Sequence, residues 1–457
     1  MSTAAVILAA GKGTRFKSDL PKVLHRAAGR TLLRHVLEAV RPLGLAQVIV
    51  VVGHQRELVE AEAASVGLDN IRAVVQEQQL GTGHAAEMAI PMLGDDVDRV
   101  LVLAGDTPLI TTEALIKLLA AESEVTLLSG IVDDAGAYGR IIRGDDGAVE
   151  AIVEAKDATE MQLRVGEFNA GMYVFDRTLL VSALSGLDSD NAQGERYLTD
   201  VVVIARERGV TVDAVPVAVE LVAGVNDRVQ LAEVAAVLRA RHLTALGYAG
   251  VTVVDPASTW VDVDVQIGPE TVLLPGTMLE AGTVIGAGCE IGPHSRLVAC
   301  AVADGATVTA THAREAIIGA GATVGPFAHL RPGTVLGVDT KAGAFTELKN
   351  TTLGDRSKVP HLAYVGDTTV GEDANLACGV ITVNYDGAVK SRTIVEDGAF
   401  VGCDTALVAP VTVGKGAYVA AGSVITEDVP ADALAVARSR QTTKLGWAAA
   451  RRALQRE

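Results

Sequence analysis

Cysteine is scarce in this chain: Cys289, Cys300, Cys378 and Cys403 are the only thiols in 457 residues, and no two of them form a CxxC pair. That argues against a zinc ribbon or a disulfide framework and predicts free thiols in a reducing cytoplasm. Positive charge is also in deficit, with 39 Lys and Arg against 56 Asp and Glu and a net charge of −17. So acidic a chain does not bind nucleic acid or an anionic membrane by general attraction, and a phosphate-bearing ligand has to be held by a few local cations. Long apolar runs are missing as well. No stretch approaches the roughly 20 apolar residues that cross a bilayer, and no cationic region precedes the run Ala4–Ala10, so a secretion signal is not expected. The expectation is a soluble cytoplasmic protein acting on small molecules, and the composition excludes collagen-like, coiled-coil and disordered chains.

What is present changes its grammar partway along. Through about residue 225, short β-branched runs alternate with helical patterns: Ala4–Ala10, Leu32–Leu43, Gln47–Val52, Arg56–Ser65, Arg99–Ala104 and Thr111–Leu119. Such alternation predicts βαβ units on a mostly parallel sheet, with ligands beyond the carboxyl ends of the strands. From Asp227 to Leu246 the pattern is helical, with Leu231, Val234, Leu238 and Leu246 on one stripe and Gly247 placed to end it. Beyond it, aliphatic residues recur every six positions: Val261, Ile267, Leu273, Leu279, Ile285, Ile291 and Leu297, then Ile318, Val324, Leu330 and Leu336, then Val395 through Ile425. That period suits one short strand and turn per face of a triangular parallel β-helix. Breaks in the period around Arg314, Thr346–Thr352 and Thr382–Arg392 are expected to be loops leaving the solenoid, where binding residues are presented.

The turn after the first strand reads Leu8-Ala9-Ala10-Gly11-Lys12-Gly13-Thr14-Arg15-Phe16, and Pro21-Lys22 follows. Glycines let backbone N–H groups approach phosphate oxygens, while Lys12, Arg15 and Lys22 supply charge, so the loop reads as a triphosphate cradle. Its spacing is not that of a P-loop, and Phe16 stands where a dinucleotide fingerprint needs glycine.

LAAGKGTR with a downstream PK resembles the signature of sugar-1-phosphate nucleotidyltransferases. Joined to hexapeptide repeats, nearly the whole chain resembles the bifunctional N-acetylglucosamine-1-phosphate uridyltransferase/glucosamine-1-phosphate acetyltransferases, the GlmU family. The resemblance implies a Rossmann-like nucleotidyltransferase domain at 1–226, a linker helix at 227–247 and a left-handed β-helix acetyltransferase domain at 248–457. It implies that Leu8, Ala9, Ala10, Gly11, Lys22, Gln76, Gly81, Thr82, Ala104, Gly105, Asp106, Gly139, Glu154, Asn169 and Asn226 surround UTP and the sugar. Gln76 and the Gly81-Thr82 turn offer amide and hydroxyl groups to the edge of a uracil. Glu154 and Asn169 offer oxygens to sugar hydroxyls. Asp106 and Asn226 suit a Mg²⁺ that keeps water and takes phosphate oxygens. Because a phosphate monoester is already anionic, attack on the α-phosphorus needs positioning and neutralisation, assigned to Lys22 and Arg15, rather than a general base.

In the repeats, His361 of VPHLAYVGD resembles the general base that an amine nucleophile needs. Arg331 and Lys349 match the family's cations for the sugar phosphate, and Tyr364 and Asn375 match contacts to the sugar. Asn384, Tyr385, Ala421 and Arg438 match positions that hold acetyl-CoA. Cys378 and Cys403 stand where the family usually has small residues such as Ala and Ser. The basic tail, with Arg440, Lys444, Arg451 and Arg452, lies within reach in sequence of the same cofactor.

A triangular prism packs naturally against copies of itself about a threefold axis, so a homotrimer is expected. The function implied is synthesis of UDP-N-acetylglucosamine from glucosamine-1-phosphate, acetyl-CoA and UTP through N-acetylglucosamine-1-phosphate, feeding bacterial cell-wall precursors. Two other readings stay open on sequence. One is a single-activity nucleotidyltransferase with a regulatory β-helix, opposed by the His361–Tyr364 and Asn384-Tyr385 motifs. The other is a non-catalytic nucleotide-sugar sensor, opposed by Lys22, Asp106 and His361.

Overall fold

Alternate residues of the first strand point into two different cores, which is the burial a parallel sheet covered on both faces requires. Ala4 and Val6 pack on one side, Ala5 and Ile7 on the other, and all four are essentially inaccessible. The computed structural model describes residues 1–454. It divides into two compact units, Met1–Ala240 and Arg241–Glu457.

In the first unit, besides a small hairpin of Arg26–Ala27 and Arg30–Thr31, the strands are β1 (Thr3–Leu8), β2 (Gln47–Val52), β3 (Ile71–Val75), β4 (Arg99–Ala104), β5 (Val125–Ile131), β6 (Arg140–Arg143), β7 (Val149–Val153), β8 (Glu167–Asp176) and β9 (Val212–Pro216). They form one sheet in the order β9-β5-β8-β4-β1-β2-β3, with β6 pairing β8 and β7 at its side. β1 pairs β2 and β4 in parallel, and β8 runs antiparallel to β4 and β5. The helices Leu32–Val40, Arg56–Ser65 and Thr112–Leu119 fall where the sequence pattern puts them. Thr31 and Thr111 accept from Arg34 N and Ala114 N, so threonine caps start two of them.

A helix runs over Arg228–Tyr248, and the division between the units falls inside it. Asp227 caps its start, accepting from Val229 N and Gln230 N at 2.9 Å each. Gly247 does not stop it. The stop comes at Gly250, at φ 93°, where Val251 N reaches back to Leu246 O; a left-handed residue ends a helix wherever the chain first needs that turn.

The second unit is a left-handed parallel β-helix of hexapeptide repeats with sheets of 11, 10 and 9 strands, one per face of the prism. Leu273, Ile291, Val308, Val324, Ala342, Val359, Leu376, Val401 and Val419 follow one another up one face, all in the interior. Buried threonines and serines at the strand entrances satisfy neighbouring carbonyls, as when Thr271 donates to Gly286 O at 2.8 Å and Thr334 to Leu348 O at 3.1 Å. Two expected loops are absent. Around Arg314 and Thr346–Thr352 the chain stays on the prism, as strands His312–Arg314 and Glu347–Lys349. Turns shortened by a residue break the sequence period without breaking the coil: across Arg314 Val308 still pairs with Val324, and across 346–352 Ala342 pairs with Val359. Within 382–392 the chain does leave the coil, closed by a bridge between Tyr385 and Lys390.

Leu330 is 0% exposed on the aliphatic stack. Leu330→Ala is expected to lower the urea stability of the second unit by about 2–5 kcal/mol. Unfolding followed separately in the two units should show that transition move and the first unit's stay; an unmoved second transition would refute the stack as its core.

Candidate functional site

The ends of β1, β2 and β4 are tied together by short backbone bonds, Ala9 N to Val51 O at 2.9 Å and Gly105 N to Leu8 O at 3.0 Å. Their following loops therefore share one mouth, and a cavity of about 420 Å³ opens there. Of the residues the sequence pointed to, Leu8, Ala9, Ala10, Gly11, Lys22, Gln76, Gly81, Thr82, Ala104, Asp106, Glu154 and Asn169 line it. Gly105 and Gly139 lie just behind the wall; a Cβ on Gly139 would come within 3.5 Å of the Glu154 carboxyl. Arg15 and Asn226 do not line the cavity but meet each other, Arg15 Nη2 donating to Asn226 Oδ1 at 2.8 Å.

Gly13 has no side chain for a mechanical reason. At φ 61° its Cβ would fall 2.5 Å from that of Lys22, so glycine lets the lysine cross the loop. The Lys22 ammonium pairs with the Asp106 carboxylate and donates to Asn226 Oδ1 at 3.4 Å. The two oxygens assigned to a metal thus already converge on one cation, and Asp227, not Asn226, serves as the helix cap. One carboxylate and one neutral carbonyl oxygen, with room for water and phosphate, is a donor set that fits Mg²⁺.

The Thr82 hydroxyl is engaged elsewhere than expected, accepting from Leu198 N at 3.0 Å. Sequence reasoning missed Gln79, Tyr173, Glu195 and Thr199, which also line the cavity. Gln79 donates to Ala10 O at 2.6 Å and so fastens the glycine loop. Its only signal was its place between Gln76 and Gly81. Tyr173 accepts from Asn169 Nδ2 at 2.6 Å and fixes that amide. Glu154 is held above the ordinary carboxylate range by burial; Thr199 opposes this with a hydrogen bond, while Asp200, Asp157 and Glu195 add repulsion.

The second cluster is an exposed face of a convex prism. His361 ends the strand Lys358–His361, opposite Ala344. Continuing the pairing of Lys358 with Asn375, Asn375 with Phe400, and Phe400 with Tyr418 puts His361, Cys378, Cys403 and Ala421 at one position of successive coils. At the usual spacing of about 4.8 Å per rung, this ladder is roughly 14 Å long. Its side chains below the imidazole are small, and the Gly422 position of the last rung approaches Arg438 Cδ. Three residues on from His361 comes Tyr364, and at the far edge of that face Arg331, Lys349 and Gly366 stack in register. A Cβ on Gly366 would lie 2.5 Å from the Tyr364 hydroxyl and 2.9 Å from Asn384 Nδ2, so these polar groups occupy the space. Asp367 gathers them: Asn350 donates at 2.7 Å and Asn384 at 2.5 Å, and Lys349 Nζ lies 3.7 Å away. Burial pushes its carboxyl up, but hydrogen bonds from Asn350 and Asn384 and the charges of Lys349 and Lys390 outweigh this and leave it below its ordinary value. Tyr385 and Arg438 are exposed, as is the tail through Leu454.

Residues 5–142 match the MobA-like NTP transferase domain, and residues 264–299 match the bacterial transferase hexapeptide (six repeats). Proteins called bifunctional protein GlmU match end to end. That of Mycolicibacterium gilvum is 53% identical, with 99% of this chain and 93% of its own length covered. Those of an Exiguobacterium species and of Streptomyces avermitilis are 50% and 51% identical, each covering 98% of this chain and 99% and 94% of their own.

A carboxyl whose folded-state pKa is raised loses stability as pH climbs from the unfolded value through the folded one, and the cost is full above that window. Glu154→Gln is therefore expected to raise the melting temperature of the ligand-free protein at alkaline pH, with the gain shrinking as pH falls toward the ordinary carboxylate value of about 4. Melting curves across that range that show no gain, or a gain growing toward acid, would contradict the assignment.

Proposed function

The chain belongs to the family of bifunctional GlmU proteins, and from that membership we propose that each unit carries its own transfer reaction. The second unit acetylates glucosamine-1-phosphate with acetyl-CoA, and the first transfers UMP from UTP to N-acetylglucosamine-1-phosphate, releasing pyrophosphate and UDP-N-acetylglucosamine for cell-wall synthesis. Uridylyl transfer is assigned to residues 1–226 and acetyl transfer to 248–457. The observation that carries the pair is that one chain holds both a cavity with Lys22 at its wall and a ladder of small side chains leading up to an exposed imidazole.

In the first unit the sugar phosphate attacks the α-phosphorus as it stands. Lys22 and Arg15, both already within hydrogen-bonding reach of Asn226 Oδ1, turn their charge to the phosphate oxygens as pyrophosphate leaves. Asp106 and Asn226 would hold Mg²⁺, which supplies further charge neutralisation. Asn169, oriented by Tyr173, and Glu154 take the sugar hydroxyls, and the glycine turn that begins with Gly11 at the cavity wall is assigned to the phosphates.

In the second unit His361 accepts the proton of the amine as nitrogen bonds to the thioester carbon. Arg331 and Lys349 hold the phosphate, Tyr364 and Asn375 the sugar, and acetyl-CoA lies along Cys378, Cys403 and Ala421, with Arg438 toward its phosphates and Asn384 and Tyr385 beside it. A column of compact side chains gives an extended cofactor arm room. Next to this ladder Phe327 and Phe345 stack 5.1 Å apart while 60% and 58% exposed, with Leu362 60% exposed on the following coil. All three have left-handed backbones, so a strained apolar stripe faces outward. An exposed stripe of this kind, which second and third copies would cover, supports a homotrimer. No described helix is long and apolar enough to cross a membrane, and free cysteines accord with a reducing cytoplasm.

The test is an assay with glucosamine-1-phosphate, acetyl-CoA, UTP and Mg²⁺, each omitted in turn, following thiol and pyrophosphate release separately. Lys22→Ala is expected to cut pyrophosphate release about 10²–10³-fold and leave thiol release intact. His361→Ala should cut thiol release about 10²–10⁴-fold and leave uridylyl transfer from supplied N-acetylglucosamine-1-phosphate intact. Loss of both reactions in either folded variant would count against two separate centres.

A further inference from the structure

Gln76 is 3% exposed, and its backbone N–H is bound to Val52 O at 2.8 Å. Both hydrogens of its carboxamide are also taken, one by Gly81 O at 3.1 Å and the other by His84 Nδ1 at 3.0 Å. Two acceptors on one side oblige the nitrogen to face them. A flipped amide would set Oε1 against the carbonyl and against the lone pair of the imidazole. Gly81 O already accepts from Ala85 N at 3.1 Å as the helix Thr82–Ala89 begins, so His84 supplies the acceptor that the second amide hydrogen needs.

The group that Gln76 is left to offer is its oxygen, which no hydrogen bond within the described residues engages; Gln76 and Gly81 line the same cavity. The Gly81 N–H likewise has no partner within the described residues. A free acceptor and a free donor together complement the N3–H and O4 edge of uracil. With the acceptor opposite N3 and the donor opposite position 4, they oppose cytosine, whose N3 accepts and whose amino group donates.

We infer that His84, through an unprotonated Nδ1, is a positioning residue for base selection: it holds the Gln76 carboxamide in the one sense that admits uracil and rejects cytosine. The inference rests on the uridylyl-transfer reading of this cavity and deepens it. His84 acts through Gln76, so its loss leaves Gly81 O as the single acceptor holding the amide and lets it rotate more readily. Uracil recognition then weakens while cytosine, still opposed by the Gly81 N–H at its amino group, changes little, whereas a merely structural role would lower both.

The full-length enzyme with Mg²⁺ and N-acetylglucosamine-1-phosphate is assayed with UTP and with CTP, and binding of each nucleotide is followed by thermal shift. His84→Leu and His84→Ala remove the acceptor, and His84→Asn keeps a carbonyl oxygen near the place of Nδ1. The two former are expected to lower the UTP-to-CTP ratio of kcat/KM about tenfold. The change should come through a higher KM for UTP with the KM for CTP little altered, kcat for UTP nearly unchanged, and His84→Asn should restore most of the ratio. A ratio within twofold of wild type in either folded acceptor-less variant, or an equal loss for both nucleotides, would overturn the role of His84. A wild-type protein that neither binds nor turns over UTP would overturn the reading of the cavity as well, so the two failures are told apart.

Discussion

In a parallel ladder each residue is flanked by the residue at the same position of the neighbouring strand, about 4.8 Å away. That repetition builds the second unit: one aliphatic position, copied coil after coil from Leu273 to Val419, is its core. The same repetition lines up the outward positions, so an imidazole, two thiols and an alanine stand in one column and two cations in another. In the first unit parallel pairing forces the crossovers to one end of the sheet. The loops after β1, β2 and β4 meet there because their strands are neighbours, not because the loops attract one another. Both sites are consequences of strand order before any polar contact is made.

Charge explains how an acidic chain handles anions. With a net charge of −17, the general field repels phosphates, and the work falls to cations held at fixed points. Lys22 is held by Asp106 and Asn226, and Lys349 by Asp367. In each case a carboxylate holds the cation in position, where, on the proposed function, a phosphate would compete for it. A lysine left in water would have to be ordered when the ligand arrives, at the cost of its side-chain entropy.

Much of this was legible in the sequence because periodicity and glycine placement report the backbone directly. The six-residue recurrence specified the β-helix, and LAAGKGTR specified the glycine loop with Lys22 as one of its cations, while the crossing of Lys22 past Gly13 showed only in the structure. What stayed hidden depends on atoms brought together from far apart. The shortened turns near Arg314 and Thr346 looked like loops because losing one residue erases a sequence period while the strand register absorbs it. Gly247 looked like a helix stop because a glycine's identity does not reveal its φ; Gly250 is the left-handed one. Tyr173 and Thr199 carry no motif, and only the folded sheet sets them beside Asn169 and Glu154.

The two sites differ in enclosure, and the difference follows from their chemistry. Nucleotidyl transfer spreads negative charge over phosphate oxygens, and fixed cations act most strongly on it where water is displaced, as in a cavity cut into a sheet buried on both faces. Acyl transfer to an amine needs a base near the reacting nitrogen and a long cofactor laid alongside, for which an exposed corner with small side chains serves. A convex prism cannot close over its own corner. Whatever excludes water from His361 must come from outside the coil, and the loop at 382–392, the exposed tail and the strained apolar stripe beside the imidazole are the surfaces available to a neighbouring copy. On the proposed assignment, acetyl transfer would be coupled to assembly, while uridylyl transfer would draw on residues of a single unit.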